Sequence, residues 1–210
     1  MLTCHRYTLP ILLFASIFFF TGCSQTTVSG LWKKSDYTGE PFASILVVGL
    51  TGDLHNRILW ENVMADKLRQ SGIKTVITTS GVFPGSKMAT ENDIMDYVSV
   101  NGVEGLLVTR LVDTREEEVY YPPTGGYYGG PYGYYNRFNH YYSHAYDRIS
   151  SPGYTATLTT FMLETNLYKS DTKELIWSMS SDTLEPKSFN QLVDSVSKKV
   201  LETLQKDQLI

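Results

Sequence analysis

Ala43-Ser44-Ile45-Leu46-Val47-Val48-Gly49-Leu50 is an unbroken apolar run rich in β-branched residues. It is too short for a buried helix and lacks the alternation of a strand that faces water on one side. Such a run reads as a strand covered on both faces, which is the habit of parallel sheets with helices packed above and below. The residues after it fit that reading. Thr51-Gly52-Asp53 turns the chain, and a helix is expected from Leu54 to Ser71, ended by Gly72. Ile58, Met64, Ala65 and Leu68 are expected toward the core, with Trp60 beside them.

Further along, Ile73 to Thr79 reads as a second strand and Ser80 to Met88 as a loop. Thr90 can cap the next helix, whose first turn carries Glu91 and Asp93 and whose buried stripe is Ile94 and Val98. Gly102 ends it, and Gly105 to Val112 is a third strand. Three strands separated by two helices imply right-handed parallel crossovers. The pattern then changes. Thr155 to Tyr168 is long and threonine-rich, Ser170-Asp171-Thr172 makes a turn, and Glu174 to Met179 alternates Leu175, Trp177 and Met179. This reads as an antiparallel hairpin added to the sheet. Ser188-Phe189-Asn190-Gln191 is a capping box, and the closing helix carries Phe189, Val193, Val196, Val200 and Leu204 at helical spacing. The expected fold is therefore α/β, a three-layer single domain over 43–210. It has a β-α-β-α-β parallel core followed by an antiparallel hairpin and a C-terminal helix.

Val47-Val48-Gly49-Leu50-Thr51, Leu107-Val108-Thr109-Arg110-Leu111, Glu164-Thr165-Asn166-Leu167-Tyr168 and Leu175-Ile176-Trp177-Ser178 resemble a family of Gram-negative envelope lipoproteins without an assigned activity. The element order is also similar to the amino-terminal domain of TolB and the core of the curli secretion lipoprotein CsgG. Those are envelope assembly or transport components. The resemblance implies a non-enzymatic role in the envelope, and the ring-forming secretion lipoprotein adds self-association.

Upstream of the first strand, residues 24–42 hold Ser, Thr, Gly and Pro with few apolar residues and read as a tether. Leu31, Trp32 and Tyr37 are the members able to dock onto the domain. Before the tether, Arg6 precedes an apolar run from Leu9 to Phe20, and Thr21-Gly22-Cys23 comes next. A short cationic start, a short apolar core and small residues before a cut make a secretory signal peptide, and the run is shorter than the ~20 residues of a spanning helix. Phe20-Thr21-Gly22-Cys23 resembles the bacterial lipobox, which implies removal of residues 1–22. It further implies a diacylglyceryl group on the Cys23 thiol and an acyl chain such as palmitate on its new amino terminus. Ser24 resembles outer-membrane sorting, which implies attachment at the periplasmic face of the outer membrane. The alternative is an ordinary signal peptide cut elsewhere, with Cys23 left free. The chain has two cysteines, Cys4 and Cys23, so a lipidated mature chain keeps no thiol for catalysis, disulfides or zinc.

Between the third and fourth strands lies a biased segment, about 120–152. Ten of the chain's 15 tyrosines fall in residues 120–146, among Gly and Pro that discourage regular structure. Tyrosine joins a large apolar face to a hydroxyl at low entropic cost, which suits a binding surface. Tyr127, Tyr128, Tyr132, Tyr134, Tyr135, Tyr141 and Tyr142 are the candidate contacts, for an envelope protein, a second copy of the chain, or a cell-envelope glycan. A solvated low-complexity loop is the plainer reading. Glu116-Glu117-Glu118 just before it reads as a solvated charge run.

Little else suggests chemistry. His140 and His144 share a helical spacing, but the Gly and Tyr around them argue against a helix, so no metal site is assigned. Gly49-Leu50-Thr51-Gly52 matches neither a P-loop nor a dinucleotide fingerprint, and Asp53 at the helix start reads as a cap. There is no Gly-x-Ser-x-Gly elbow, and the carboxylates are scattered. No cofactor or catalytic residue is assigned; a carboxylate-based envelope enzyme is the remote alternative. The net charge of −4 offers no basic stripe for nucleic acid.

Overall fold

The computed structural model describes residues 25–85, 87–122, 137–150 and 153–210. The signal peptide and Cys23 lie outside them, as do Tyr127, Tyr128, Tyr132, Tyr134 and Tyr135. The described residues form a mixed α/β fold around one six-stranded sheet. The strands are β1 (Gln25–Lys33), β2 (Ser44–Leu50), β3 (Thr75–Thr78), β4 (Gly105–Tyr121), β5 (Tyr154–Lys169) and β6 (Leu175–Leu184). Five helices join them: α1 (Leu54–Gln70), α2 (Thr79–Val82), α3 (Glu91–Asn101), α4 (Phe138–Ser150) and α5 (Phe189–Lys206).

The sheet order is β1-β6-β5-β4-β2-β3. β2 pairs in parallel with β3 and with β4, whereas β4, β5, β6 and β1 run antiparallel to their neighbours. The two faces of β2 account for its continuous apolar run. Ile45 and Val47 pack into a cluster with α1 and α5, around Met64, Leu68, Val196 and Val200. Leu46 and Val48 point the other way, into a second cluster with Val98 of α3, Val103 and Leu106. Helices thus cover both faces, and the sheet is the middle layer.

Four expectations are corrected. The tether is largely strand: residues 25–33 form the edge strand β1, which pairs antiparallel with β6. An edge strand is held by backbone bonds and needs few apolar side chains, so the Ser/Thr/Gly composition concealed it. Thr26 is buried, with its hydroxyl paired to Thr183 at 2.8 Å and donating to Ser195 at 2.8 Å, which ties β1 to both β6 and α5. Leu31 and Trp32 do not dock; both are half-exposed. On α1, Ile58 faces outward, while Arg57 and Glu61 are buried with Met64, Ala65 and Leu68. The positions 57, 61, 64, 65 and 68 share one helical stripe, and Ile58 lies about 100° around from its start. Phe189, in the first turn of α5, is also partly exposed.

The expected caps are present. Asp53 accepts from the Asn56 backbone N–H at 2.8 Å at the start of α1. Thr90 and Asp93 form a reciprocal capping box on α3, and Gly102 closes that helix in the left-handed region at φ 63°. On α5 Ser188 caps as expected, accepting from Gln191 N–H at 3.2 Å, but the expected box is not reciprocal: the Gln191 side chain accepts from Lys187 N–H at 2.6 Å.

Candidate interaction surface

β4 and β5 do not stop where the rest of the sheet stops. At one level across the sheet Gln25 of β1 faces Leu184 of β6, Leu184 faces Thr160 of β5, and Thr160 faces Arg115 of β4. Beyond that level β4 and β5 continue as a two-stranded arm, paired out to Tyr121 and Tyr154. The acidic run Glu116-Glu117-Glu118, expected to be solvated, is exposed and lies within this arm. A register shift between Leu111 and Asp113 marks the base, where an extra residue is left unpaired and the local twist sharpens. The last rung is aromatic: the rings of Tyr121 and Tyr154 stack with centroids 5.1 Å apart and planes 15° from parallel.

The arm carries a helix. Residues 138–150 form α4, although the bias of the Tyr/Gly-rich segment predicts no regular structure. The reason is local: the glycines and prolines sit before residue 134 and after residue 151, leaving a stretch with neither. Phe138, Tyr142 and Tyr146, spaced by four, form a ladder along one side. Their centroids lie 5.4 and 6.1 Å apart, with planes 29° and 18° from parallel. Aromatic pairs of this kind contribute about 0.5–1.5 kcal/mol each. The three rings remain 74%, 56% and 60% exposed, so the ladder supports the helix and still offers its outer faces. Of the tyrosines expected to make contacts, Tyr141 and Tyr142 are placed, both exposed. Phe138, Tyr146 and Tyr154 are not among the expected contacts; the Phe-x3-Tyr-x3-Tyr spacing is the signal for the first two. The side chains of His140 and His144 lie outside the described residues, and among those described no three His, Cys, Asp or Glu gather as a metal site.

At the foot of the arm an apolar cleft of about 210 Å³ opens beyond the carboxyl end of β2. Trp60, Leu111, Phe161, Leu163, Phe189 and Val193 line it, with Asn56 and Arg110 as polar members. Such a position, past the ends of parallel strands, is where α/β sheets commonly take ligands. Arg110 donates to Glu164 at 2.9 Å, and Asn166 donates to the other Glu164 oxygen at 3.0 Å. The Asn166 bond, with Arg110 behind it, holds the Glu164 carboxyl below its ordinary range. This pair fixes Arg110 as a structural partner of β5.

Among the described residues one carboxylate is fully buried. Glu61 accepts from Gly49 N–H at 3.0 Å, from Ser80 N–H at 2.7 Å and from the Thr79 hydroxyl. It ties α1 to the end of β2 and to the first turn of α2. With its oxygens occupied by three donors it is built as a brace. Arg57, four residues earlier, donates to the Gly85 and Lys87 carbonyls and pins the following loop.

No protein-family model matches the chain, and no curated protein does. Among solved structures, the PelC dodecamer from Paraburkholderia phytofirmans overlaps with a TM-score of 0.47 at 14% identity, covering 86% of this chain and 98% of that one. A variant PelC dodecamer from the same organism gives 0.46 at 12%, covering 82% and 94%. Lipoprotein GNA1162 from Neisseria meningitidis gives 0.41 at 15%, covering 78% and 98%. Overlaps this loose carry no activity or partner across to this chain.

Proposed function

We propose that this chain is an outer-membrane lipoprotein. It is held through Cys23 at the periplasmic face, and its α/β domain is a non-enzymatic interaction module in envelope assembly or transport. The observation that carries this reading is the clustering of exposed apolar surface at one end of the sheet. Leu111 and Val112 at the base of the arm, Tyr121 and Tyr154 at its tip, the α4 ladder and the cleft at its foot form a contact surface far richer in aromatics than solubility requires. The lipobox-like Phe20-Thr21-Gly22-Cys23 supports the anchor. Its partners are an envelope protein or further copies of itself. In-cell crosslinking with mass spectrometry, on the full lipoprotein and on a variant lacking residues 122–151, tests it. A defined partner captured by the first and lost from the second is the expected result. Turnover of an envelope substrate by the purified chain, abolished by one side-chain change, would sink the non-enzymatic reading.

A second reading has its own support. Stacked, exposed rings such as Phe138, Tyr142 and Tyr146 suit sugar faces, so a glycan of the cell envelope is the alternative occupant. Saturable quenching of tyrosine fluorescence by cell-wall fragments would favour it, and no binding to any envelope polysaccharide would end it.

A further inference from the structure

We infer that the aromatic end of the β4–β5 arm, with α4, rests in the headgroup region of the phospholipid bilayer that holds the Cys23 anchor. The lipid anchor and this arm would then set the domain's orientation as two points of attachment. The inference rests on the anchoring part of the proposed function and names what the tip of that contact surface meets.

The register across the sheet places anchor and arm together. β1 begins at Gln25, level with Leu184, Thr160 and Arg115. The chain therefore enters the domain at the same end of the sheet from which the arm projects. Cys23 precedes Gln25 by two residues, a span of at most about 7 Å. From the level of Gln25 the arm runs six more residues, Glu116 to Tyr121, or roughly 20 Å at strand spacing. With the strands upright on the membrane, the arm would reach roughly 13 Å past Cys23, beyond the headgroups of about 5–8 Å. A lean lays the arm along the surface instead. In both postures the linker is too short to lift the arm clear.

The side chains of the arm suit that place. α4 ends at Ser150, four residues before Tyr154, so Ser150 lies within about 14 Å of the outermost rung and Tyr142, eight helical residues earlier, within about 26 Å. Tyrosine is enriched at membrane–water interfaces, where the ring sits among acyl-chain ends and the hydroxyl among headgroups. Tyr121, Tyr142, Tyr146 and Tyr154 provide such rings at this end, and Leu184 adds exposed aliphatic surface level with Gln25. Toward the far end, Val100 at the close of α3 and Leu31 and Trp32 at the close of β1 are exposed, a smaller set without stacked rings. Glu116, Glu117 and Glu118 lie along the arm and weaken any attraction to anionic lipid. Ring burial is then the driving force, and a zwitterionic surface suffices.

The test places an environment-sensitive fluorophore on a Tyr142→Cys variant of the full lipidated chain, reconstituted in phosphatidylcholine vesicles, with a Val100→Cys variant as the far-end control. Both sites are exposed, so labelling leaves the core alone. Intact mass establishes acylation of the same sample. Quenching of the Tyr142-site emission by a lipid-borne quencher, with the Val100 site unaffected, is expected for an interfacial residue. An acylated chain whose Tyr142 site responds only to an aqueous quencher overturns the inference and leaves the anchor intact. Shielding from both quenchers means that a second copy covers the ladder, which also overturns it. An unacylated chain removes the anchor, and the inference falls with it.

Discussion

Replacing Glu61 separates a brace from a reactive group. Glu61→Ala would leave the Gly49 and Ser80 N–H groups and the Thr79 hydroxyl without their acceptor. Gly49 and Thr79 are buried, and each unsatisfied buried donor costs about 1–3 kcal/mol; Ser80, half-buried, recovers part of its loss from water. The expected destabilisation is roughly 3–5 kcal/mol, a fall in Tm of roughly 6–20 °C for a domain of this size. Glu61→Gln is the informative companion. Its amide oxygen can keep Gly49 and Thr79, while its NH2 meets the Ser80 N–H donor head-on, for a loss of about 1–2 kcal/mol. Urea unfolding followed by tryptophan fluorescence, comparing midpoints at constant slope, reads both. The order Ala, then Gln, then wild type is required. Both variants melting within about 0.5 kcal/mol of wild type would rule out the brace, because three buried or half-buried donors cannot lose their acceptor at no cost.

Packing, caps, charge and the arm each give a further expectation. Gly105→Ala places a methyl 2.9 Å from a ring carbon of Phe42 and 3.3 Å from Leu167, both buried; thermal melts are expected to show a loss of about 1–3 kcal/mol. Thr90→Ala removes the hydroxyl that caps the Asp93 N–H, leaves the Asp93 carboxylate its bond from the residue-90 N–H, and is expected to cost about 1 kcal/mol, measured by the same melts. The triple variant Phe138→Ala, Tyr142→Ala, Tyr146→Ala is expected to leave the global melt within about 1 kcal/mol of wild type, since none of these rings belongs to either core cluster and their pair energies are lost within α4; a collapse in Tm would tie the arm to the fold. The carboxyls of Asp93, held by Thr90, Glu164, held by Asn166 and then Arg110, and Asp171, held by Lys169, lie below their ordinary range. In acid the unfolded chain therefore binds protons before the folded one does. Stability is full above the ordinary carboxylate range of about 4 and falls as the pH drops through the lowered values, which acid titration of the unfolding midpoint checks.

The β2 run was legible because a strand covered on both faces needs apolar residues throughout, and the structure places helices on both. The capping residues Asp53, Thr90 and Ser188 were legible because side-chain capping is decided within four residues. β1 was not, since an edge strand is specified by a partner more than 150 residues away: Thr26 pairs with Thr183, and nothing in residues 24–42 announces that. α4 was hidden by averaging a Gly/Pro-rich half with a Gly/Pro-free half. The length of the arm was not legible because Glu116 to Glu118 read as the end of a strand; in a two-stranded ribbon both faces are wet, and charge is no obstacle to pairing. The Glu61 brace joins three elements and has no local signature at all.

If the arm end, and not the opposite end, is where an anchored chain makes contact, the two ends must differ in what they touch in the cell. Photoreactive side chains introduced in living cells at Tyr142 and, separately, at Val100 read that difference. Adducts to lipid or to a defined envelope protein are expected from the Tyr142 position and none from Val100, with the Tyr142 adducts lost in the Cys23→Ser background. Equal adducts from both positions, or adducts from Val100 alone, would contradict contact through the arm.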